Sequence, residues 1–169
     1  MMKRLQIPVD RIIFSLRYDP ETGDFYWKQK ISDKVVIGRK AGSTAGKRDV
    51  RISVDGVLYE AHRLAWAIMT GEQPPHAIDH VDGDTRNNRW KNLRAATISQ
   101  NGANRPMQSN NRSGTKGVYF YADRKGKPWL ARLSCQGKIR LNKRFATKEE
   151  AAAAYADAAR QHFGEYSQV

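Results

Sequence analysis

Residues 78–94 read IDHVDGDTRNNRWKNLR, and no regular element can run through them. Asp, Asn and Gly side chains and backbones favour local turns over helix interiors and strands. The segment therefore has to be a long turn, and the elements at its two ends must come back close together. Asp79 beside His80 at the entrance makes it a candidate site as well as a bend. His is the side chain best poised to take a proton from water near neutral pH, and Asp is a hard oxygen ligand for a divalent cation. Neighbours on a strand point to opposite faces, so this pair can serve one site only if the strand ends there.

The flanking sequence supplies such ends. Pro74-Pro75 forces an extended lead into AIDHV, a short strand, and Gly83 lets the loop bend. NLRAATISQNGANRP follows; Thr97 with Gln100 fits a capping box, which predicts a helix from about Ile98 that carries Asn101 and stops at Pro106. Upstream, PVDRIIFSLRYDP predicts a short helix stopped by Asp19-Pro20, and PETGDFYWK a turn leading into a strand over Phe25 to Trp27. VRISVDGVLYEAH predicts a hairpin about Asp55-Gly56. HRLAWAIMTG predicts a helix with Leu64, Ala65, Ile68 and Met69 on its apolar side and Gly71 as its stop.

The last third has a different grammar. GVYFY, WLARLSC and KIRLNKRF read as three strands, and ATKEEAAAAYADAARQHFG as a helix capped by Thr147 and Glu150 and stopped at Gly164. Three strands and a helix make a small α+β module. In WLARLSC, Trp129, Ala131 and Leu133 share one face, and Leu130, Arg132 and Ser134 the other. The polar stretch RPMQSNNRSGTK between the two parts reads as a linker. The expected domains are 1–104, a linker over 105–114, and 115–169.

Charge narrows the function. Lys and Arg number 30 against 17 Asp and Glu, a net charge of +13, which implies a polyanionic partner, nucleic acid before a membrane surface. No run of apolar residues is long enough to span a membrane. The N-terminal segment has a basic pair, but Pro8, Asp10, Arg11 and Arg17 break its apolar part, against a signal peptide. Cys135 is the single cysteine, so there is no intrachain disulfide and no cysteine-based zinc site. A soluble cytoplasmic protein is expected, with no obligate protein partner in view.

HRLAWAIMTGEQPPHAIDHVDGDTRNNRWKNLRAATISQNGAN, about residues 60–104, resembles the HNH nuclease family, in particular its phage and intron-encoded homing branch. The carrying features are HRLAW, the G-x-x-P pair before I-D-H, D-G-D-x-x-x-N, and N-L-R ahead of an Asn-rich helix. The resemblance implies a ββα-metal site that holds one divalent cation. His80 matches the general base, Asp79 a metal ligand, Asn92 the central Asn that braces the loop and holds the His, and Asn101 the last metal ligand. The chain is thus H-N-N rather than H-N-H, and an amide ligand argues for Mg²⁺ or Mn²⁺ over zinc. Asn87 and Asn88 read as loop formers, and His62 as a packed or capping residue.

GVY, KPWLARL and RFATKEEAAAAYADAA with the later FG, about residues 115–166, resemble the Apetala-two type DNA-binding domain of plant ethylene-response factors. Tyr119 and Tyr121 stand where those domains place arginines, Arg132 where an acid is usual, and the third strand carries one extra residue, as a bulge would. A basic sheet face opposite the helix could lie in a DNA groove. The candidate DNA contacts are Lys116, Tyr119, Tyr121, Arg132, Arg140, Lys143 and Arg144, with Arg63, Arg86, Arg89 and Arg94 as further phosphate contacts.

The expectation is a homing-type endonuclease that hydrolyses phosphodiesters in double-stranded DNA with His80 and one divalent cation. Its fold class is α+β: a ββα-metal domain followed by a small three-stranded antiparallel sheet with one packed helix. Two alternatives remain, a catalytically inactive sequence-specific DNA-binding regulator and a protein that binds structured RNA.

Overall fold

The computed structural model describes residues 6–44 and 49–167. The basic pair Lys3-Arg4 of the N-terminal segment lies outside them. The chain divides into two compact units, Met1–Thr97 and Ile98–Val169. Both mix short helices with small antiparallel sheets. No helix among the described residues is long and apolar enough to cross a membrane.

The N-terminal unit opens with α1 (Val9–Ser15), β1 (Leu16–Tyr18), β2 (Phe25–Trp27) and β3 (Lys40–Ala41), the three strands forming one sheet in that order. The helix expected to run to Asp19-Pro20 stops at Ser15. Leu16–Tyr18 is drawn into strand by pairing with Phe25–Trp27, so tertiary pairing overrides local helix preference. The hairpin turn is built by Asp19, whose Oδ1 accepts from the Glu21 amide (3.0 Å) and the Thr22 amide (3.3 Å). β3 had no signal in the sequence; it exists through its register with Phe25 and Tyr26.

β4 (Arg51–Val54) and β5 (Val57–Glu60) form the expected hairpin, with Val54 opposite Val57. Asp55 and Gly56 both take positive φ, 50° and 79°, the conformation that two-residue turns need to match strand twist. α2 (Ala61–Thr70) follows and ends on Gly71, left-handed with φ 72°. It buries Ala61, Leu64, Ala65 and Ala67, while Met69, expected inward, is exposed. Leu64 joins Ile7, Ile12, Leu16, Phe25, Ile52 and Val54 in one core. Packed over it lie β6 (Ala77–His80) and β7 (Leu93–Ala96), which pair antiparallel and contribute Ile78 and Leu93.

The C-terminal unit starts with α3 (Ile98–Asn104), followed by β8 (Val118–Phe120), β9 (Trp129–Cys135), β10 (Lys138–Phe145) and α4 (Lys148–Phe163). The strands form an antiparallel sheet, β9 central. Thr147 and Glu150 make the expected capping box. Alternation along β9 sends Ala131, Leu133 and Cys135 inward against Ala151, Tyr155, Ala159 and Phe163 of α4, with Val118 from β8. The register of β9 and β10 shifts between Ile139 and Leu141, so the extra residue of the third strand is Arg140.

The division after Thr97 differs from the expected boundaries. Residues 98–104 and the polar stretch 105–114 both fall in the C-terminal unit. The reason is local bonding. Asn111 Oδ1 accepts from the Ser113 and Gly114 amides, its Nδ2 donates to Thr115 O, and Lys116 Nζ donates to Ala103 O and Arg105 O at the end of α3. A stretch that reads as a flexible spacer is instead a folded corner.

Gly117 makes that corner possible. It has φ +69°, and a Cβ there would stand 1.9 Å from Cε2 of the buried Tyr155 ring. Gly117→Ala should destabilise the C-terminal unit by about 2 kcal/mol or more. Hydrogen exchange at the β9 amides measures this; unchanged protection would contradict the packing described.

Candidate active site

β6 and β7 carry the two ends of the 78–94 segment. Their register sets Asp79 opposite Arg94 and His80 opposite Leu93. Directly paired residues share a face, so Asp79 and His80 leave opposite sides of a strand that ends at His80. Both are buried, at 2% and 5% exposure. Arg94 Nε donates to Asp79 Oδ2 at 2.9 Å, and its Nη2 lies 2.8 Å from the same oxygen.

Asn92 closes the loop between the strands. Its Nδ2 donates to Asp82 Oδ1 (2.9 Å) and Asn87 O (2.8 Å), its Oδ1 accepts from the Asp82 amide (3.1 Å), and its carbonyl accepts from the Val81 amide (2.9 Å). The remaining curvature comes from acidic side chains bonding ahead along the chain. Asp82 Oδ1 accepts from the Asp84 amide and Asp84 Oδ1 from the Arg86 amide, at 2.9 and 3.0 Å, while Asn87 Nδ2 donates to Asp82 Oδ2 at 2.6 Å. Burial alone would raise the Asp82 pKa. Bonds from Asn87, Asn92 and the Asp84 amide, with the His80 charge, outweigh it and hold the carboxyl below its ordinary value.

The contact to the His80 ring comes from Asn88 rather than Asn92: His80 Nε2 lies 3.2 Å from Asn88 Oδ1. On its other side the ring meets His62 edge-on, with centroids 5.2 Å apart. Asn88 is 2% exposed, and the β1–β2 hairpin holds its backbone. Tyr18 Oη donates to Asn88 O at 2.6 Å, Pro20 O accepts from the Trp90 amide, and Glu21 O accepts from Arg89 Nε. Gly23 belongs to this support; a Cβ there would stand 2.6 Å from Asn88 C and Arg89 N. Burial, then the nearby Asp19 and Glu21 charges, raise the Tyr18 pKa, so the phenol stays a donor. Beside Asn88 a cleft of about 420 Å³ opens, lined among others by Lys40, Ser43, Thr44 and Arg86.

Sequence reasoning read Asn88 as a loop former and His62 as packing, and did not single out Tyr18 or Gly23. An Asn-Asn pair gives no sign of which amide faces inward, and Tyr18 lies seventy positions from its partner. Of the arginines expected to meet phosphate, Arg63 bonds Pro75 O, Arg89 bonds Glu21 O, and Arg94 pairs with Asp79.

The remaining candidates lie in the C-terminal unit. Asn101 is on α3 and half-buried. Tyr119, Leu130 and Arg144 form one cross-strand row on the sheet face away from α4, and Arg132 pairs with Asn142 beside it. Tyr119 and Tyr121 are exposed, and the Arg144 guanidinium stacks on Tyr121, 4.7 Å from the ring centroid. Two candidates depart from that face. Lys143 pairs with Ala131, which puts it on the α4 side of the sheet, its Nζ 5.6 Å from the Phe145 ring. Lys116 is half-buried on the α3 carbonyls, and burial lowers its pKa. Arg140 is the bulge residue.

Comparison with known proteins places this geometry. Residues 59–103 match the family model described as HNH endonuclease. The chain is similar to an uncharacterized HNH endonuclease of Acanthamoeba polyphaga mimivirus, 27% identical over 173 residues, which cover 91% of this chain and 89% of that one. It is also similar to Protein 3.8 of Escherichia phage T7, 32% identical over 78 residues, covering 46% of this chain and 63% of that one. No solved structure matches. The chain therefore carries an HNH endonuclease domain and is a nuclease enzyme, and the domain implies a DNA substrate; the family match does not extend over the C-terminal sheet. HNH nucleases generally use a divalent metal ion.

Because the Asp82 pKa is lowered in the fold, its ionised form stabilises the loop above the ordinary carboxylate value of 3.8, and this contribution is lost as pH falls through the lowered folded value. The Asp84 and Asn87 amide resonances should therefore hold their native shifts down to pH 3.8 and move together only below it. Movement already complete above that pH would show that the bonds do not favour the carboxylate.

Proposed function

We propose that the chain is a metal-dependent endonuclease of the homing type that hydrolyses phosphodiester bonds in double-stranded DNA, with His80 as general base. The observation that carries this reading is a buried imidazole at the end of β6, held within an Asn-braced loop inside the segment that matches the HNH family.

Hydrolysis requires a deprotonated water, compensation of the charge that builds on the phosphate, and stabilisation of the leaving oxygen. His80 would take the proton from the attacking water. Asn92 would act through the loop, since its bonds to Asp82 and Asn87 fix the turn on which the imidazole's surroundings depend. Asp79 and Asn101 would hold one divalent cation, Mg²⁺ or Mn²⁺. Both are hard oxygen donors. No group of three or more His, Cys, Asp or Glu comes together among the described residues, and a sparse oxygen set suits an ion that keeps several waters. When bound, the ion supplies positive charge to the phosphate and the leaving oxygen. Arg94 engages Asp79 through Oδ2 alone in both of its contacts, and so would orient the carboxylate on one side.

The C-terminal unit would hold the DNA as an Apetala-two-like module. Three strands with α4 on one face, and Tyr119, Tyr121, Arg132 and Arg144 on the other, support this. Phosphate contacts would position the duplex, and the aromatic and Arg side chains of the open face would meet the groove. Arg140 at the bulge and Lys143 at the sheet edge would reach the backbone, whereas Lys116 would serve the fold.

The test is supercoiled plasmid incubated with the protein in EDTA, Mg²⁺ or Mn²⁺. Conversion to open-circle or linear DNA is expected only with metal, and His80→Ala should lower it by about two orders of magnitude or more while sparing binding. Near-normal cutting by that variant would remove His80 from the base role. Intact plasmid with proven binding would instead favour a DNA-binding regulator. In a gel shift, Arg132→Ala with Arg144→Ala should weaken binding and reduce the slope of log affinity against log salt by about two. An unchanged slope would take that face out of the interface.

A further inference from the structure

We propose that Asn88 is the positioning residue that fixes the tautomer of His80, holding the proton on Nε2 and so leaving the basic lone pair on Nδ1. The proposal rests on the general-base reading of His80.

The orientation of the Asn88 amide follows from its own bonds. Nδ2 donates to Arg86 O at 3.3 Å, a carbonyl that also takes the Asn88 main-chain amide at 3.1 Å. Turning the side chain over would set Oδ1 against that carbonyl, acceptor against acceptor. Oδ1 is therefore the atom that faces His80 Nε2 across 3.2 Å. An amide oxygen only accepts, so Nε2 has to donate. A neutral imidazole has one N–H; with it on Nε2, the lone pair lies on Nδ1.

Asn88 can dictate this because it cannot move away. It is 2% exposed, its carbonyl takes the Tyr18 hydroxyl, and the Gly23 turn packs against its backbone. The His62 ring borders the imidazole on another side. Asn92, the residue whose family role includes holding the His, has its side chain engaged with Asp82 and Asn87. The work is divided: Asn92 closes the loop, and Asn88 reads the imidazole.

The experiment uses the full-length metal-free protein with ¹⁵N-labelled histidine, recorded with the imidazoles neutral, the His80 signals being assigned by their absence from His80→Ala. The expected result is the Nε2–H tautomer with an Nε2 proton slow enough in exchange to be seen. Asn88→Asp, which keeps an acceptor, should retain that proton, and Asn88→Ala should lose it while the amide spectrum stays native. An Nδ1–H tautomer in the unmodified protein overturns the proposal without any variant. So does an Nε2 proton equally protected in Asn88→Ala. In cleavage assays Asn88→Ala should lower kcat by about tenfold or more with little change in KM, and Asn88→Asp should recover part of it. If His80→Ala cuts normally, the general-base reading fails while the tautomer result still stands. If His80→Ala is dead and the Nε2 proton is indifferent to Asn88, only the present proposal fails.

Discussion

The Asn92 side chain ties the two ends of a polar loop together, and the site depends on that closure. One amide donates to Asp82 and to Asn87 O and accepts from the Asp82 main chain. A loop of this composition has no apolar side chains with which to fold itself, so its shape has to come from hydrogen bonds. Each polar group it buries must be paired or it costs free energy. With the loop closed, β6 and β7 meet in register, Asp79 faces Arg94, and His80 comes to the end of its strand.

Closure alone would leave the loop's far side free. The β1–β2 hairpin supports it there, with Tyr18, Pro20, Glu21 and the bare Cα of Gly23 all meeting residues 88–90. These contacts are mostly to backbone, which makes them insensitive to side-chain identity in the loop. The imidazole is therefore presented by a rigid frame whose parts come from widely separated segments, and a site held in this way keeps its geometry when substrate arrives.

The C-terminal unit distributes its cations by a different rule. A net charge of +13 announces a polyanionic partner but not which cations meet it. Strand register does that. Arg144 shares a row with Tyr119, Arg132 lies beside it, Lys143 turns to the α4 side, and Lys116 ends a helix. The bulge at Arg140 resets the alternation of β10. Counting from Phe145 back through a bulge shifts every earlier residue to the other face, which is why the open face could not be read residue by residue.

The sequence by itself determined the elements that announce themselves locally. Asp55-Gly56 made a hairpin, Gly71 ended α2, Thr147 and Glu150 capped α4, and β9 alternated inward and outward as read. It also marked His80, Asp79, Asn92 and Asn101 as candidates through their spacing. What only the tertiary structure decided were the elements and contacts made by distant partners. Leu16–Tyr18 became a strand because Phe25–Trp27 pairs with it, and Leu93–Ala96 because β6 does, despite two alanines. The 105–114 stretch became a corner because Lys116 and Asn111 bond it. Asn88, rather than its neighbour Asn87, faces His80 because Tyr18 and the Gly23 turn fix its backbone. Caps and turns are bonded within a few residues and are written in local sequence; the partner of a buried amide is chosen by whatever the fold brings to it.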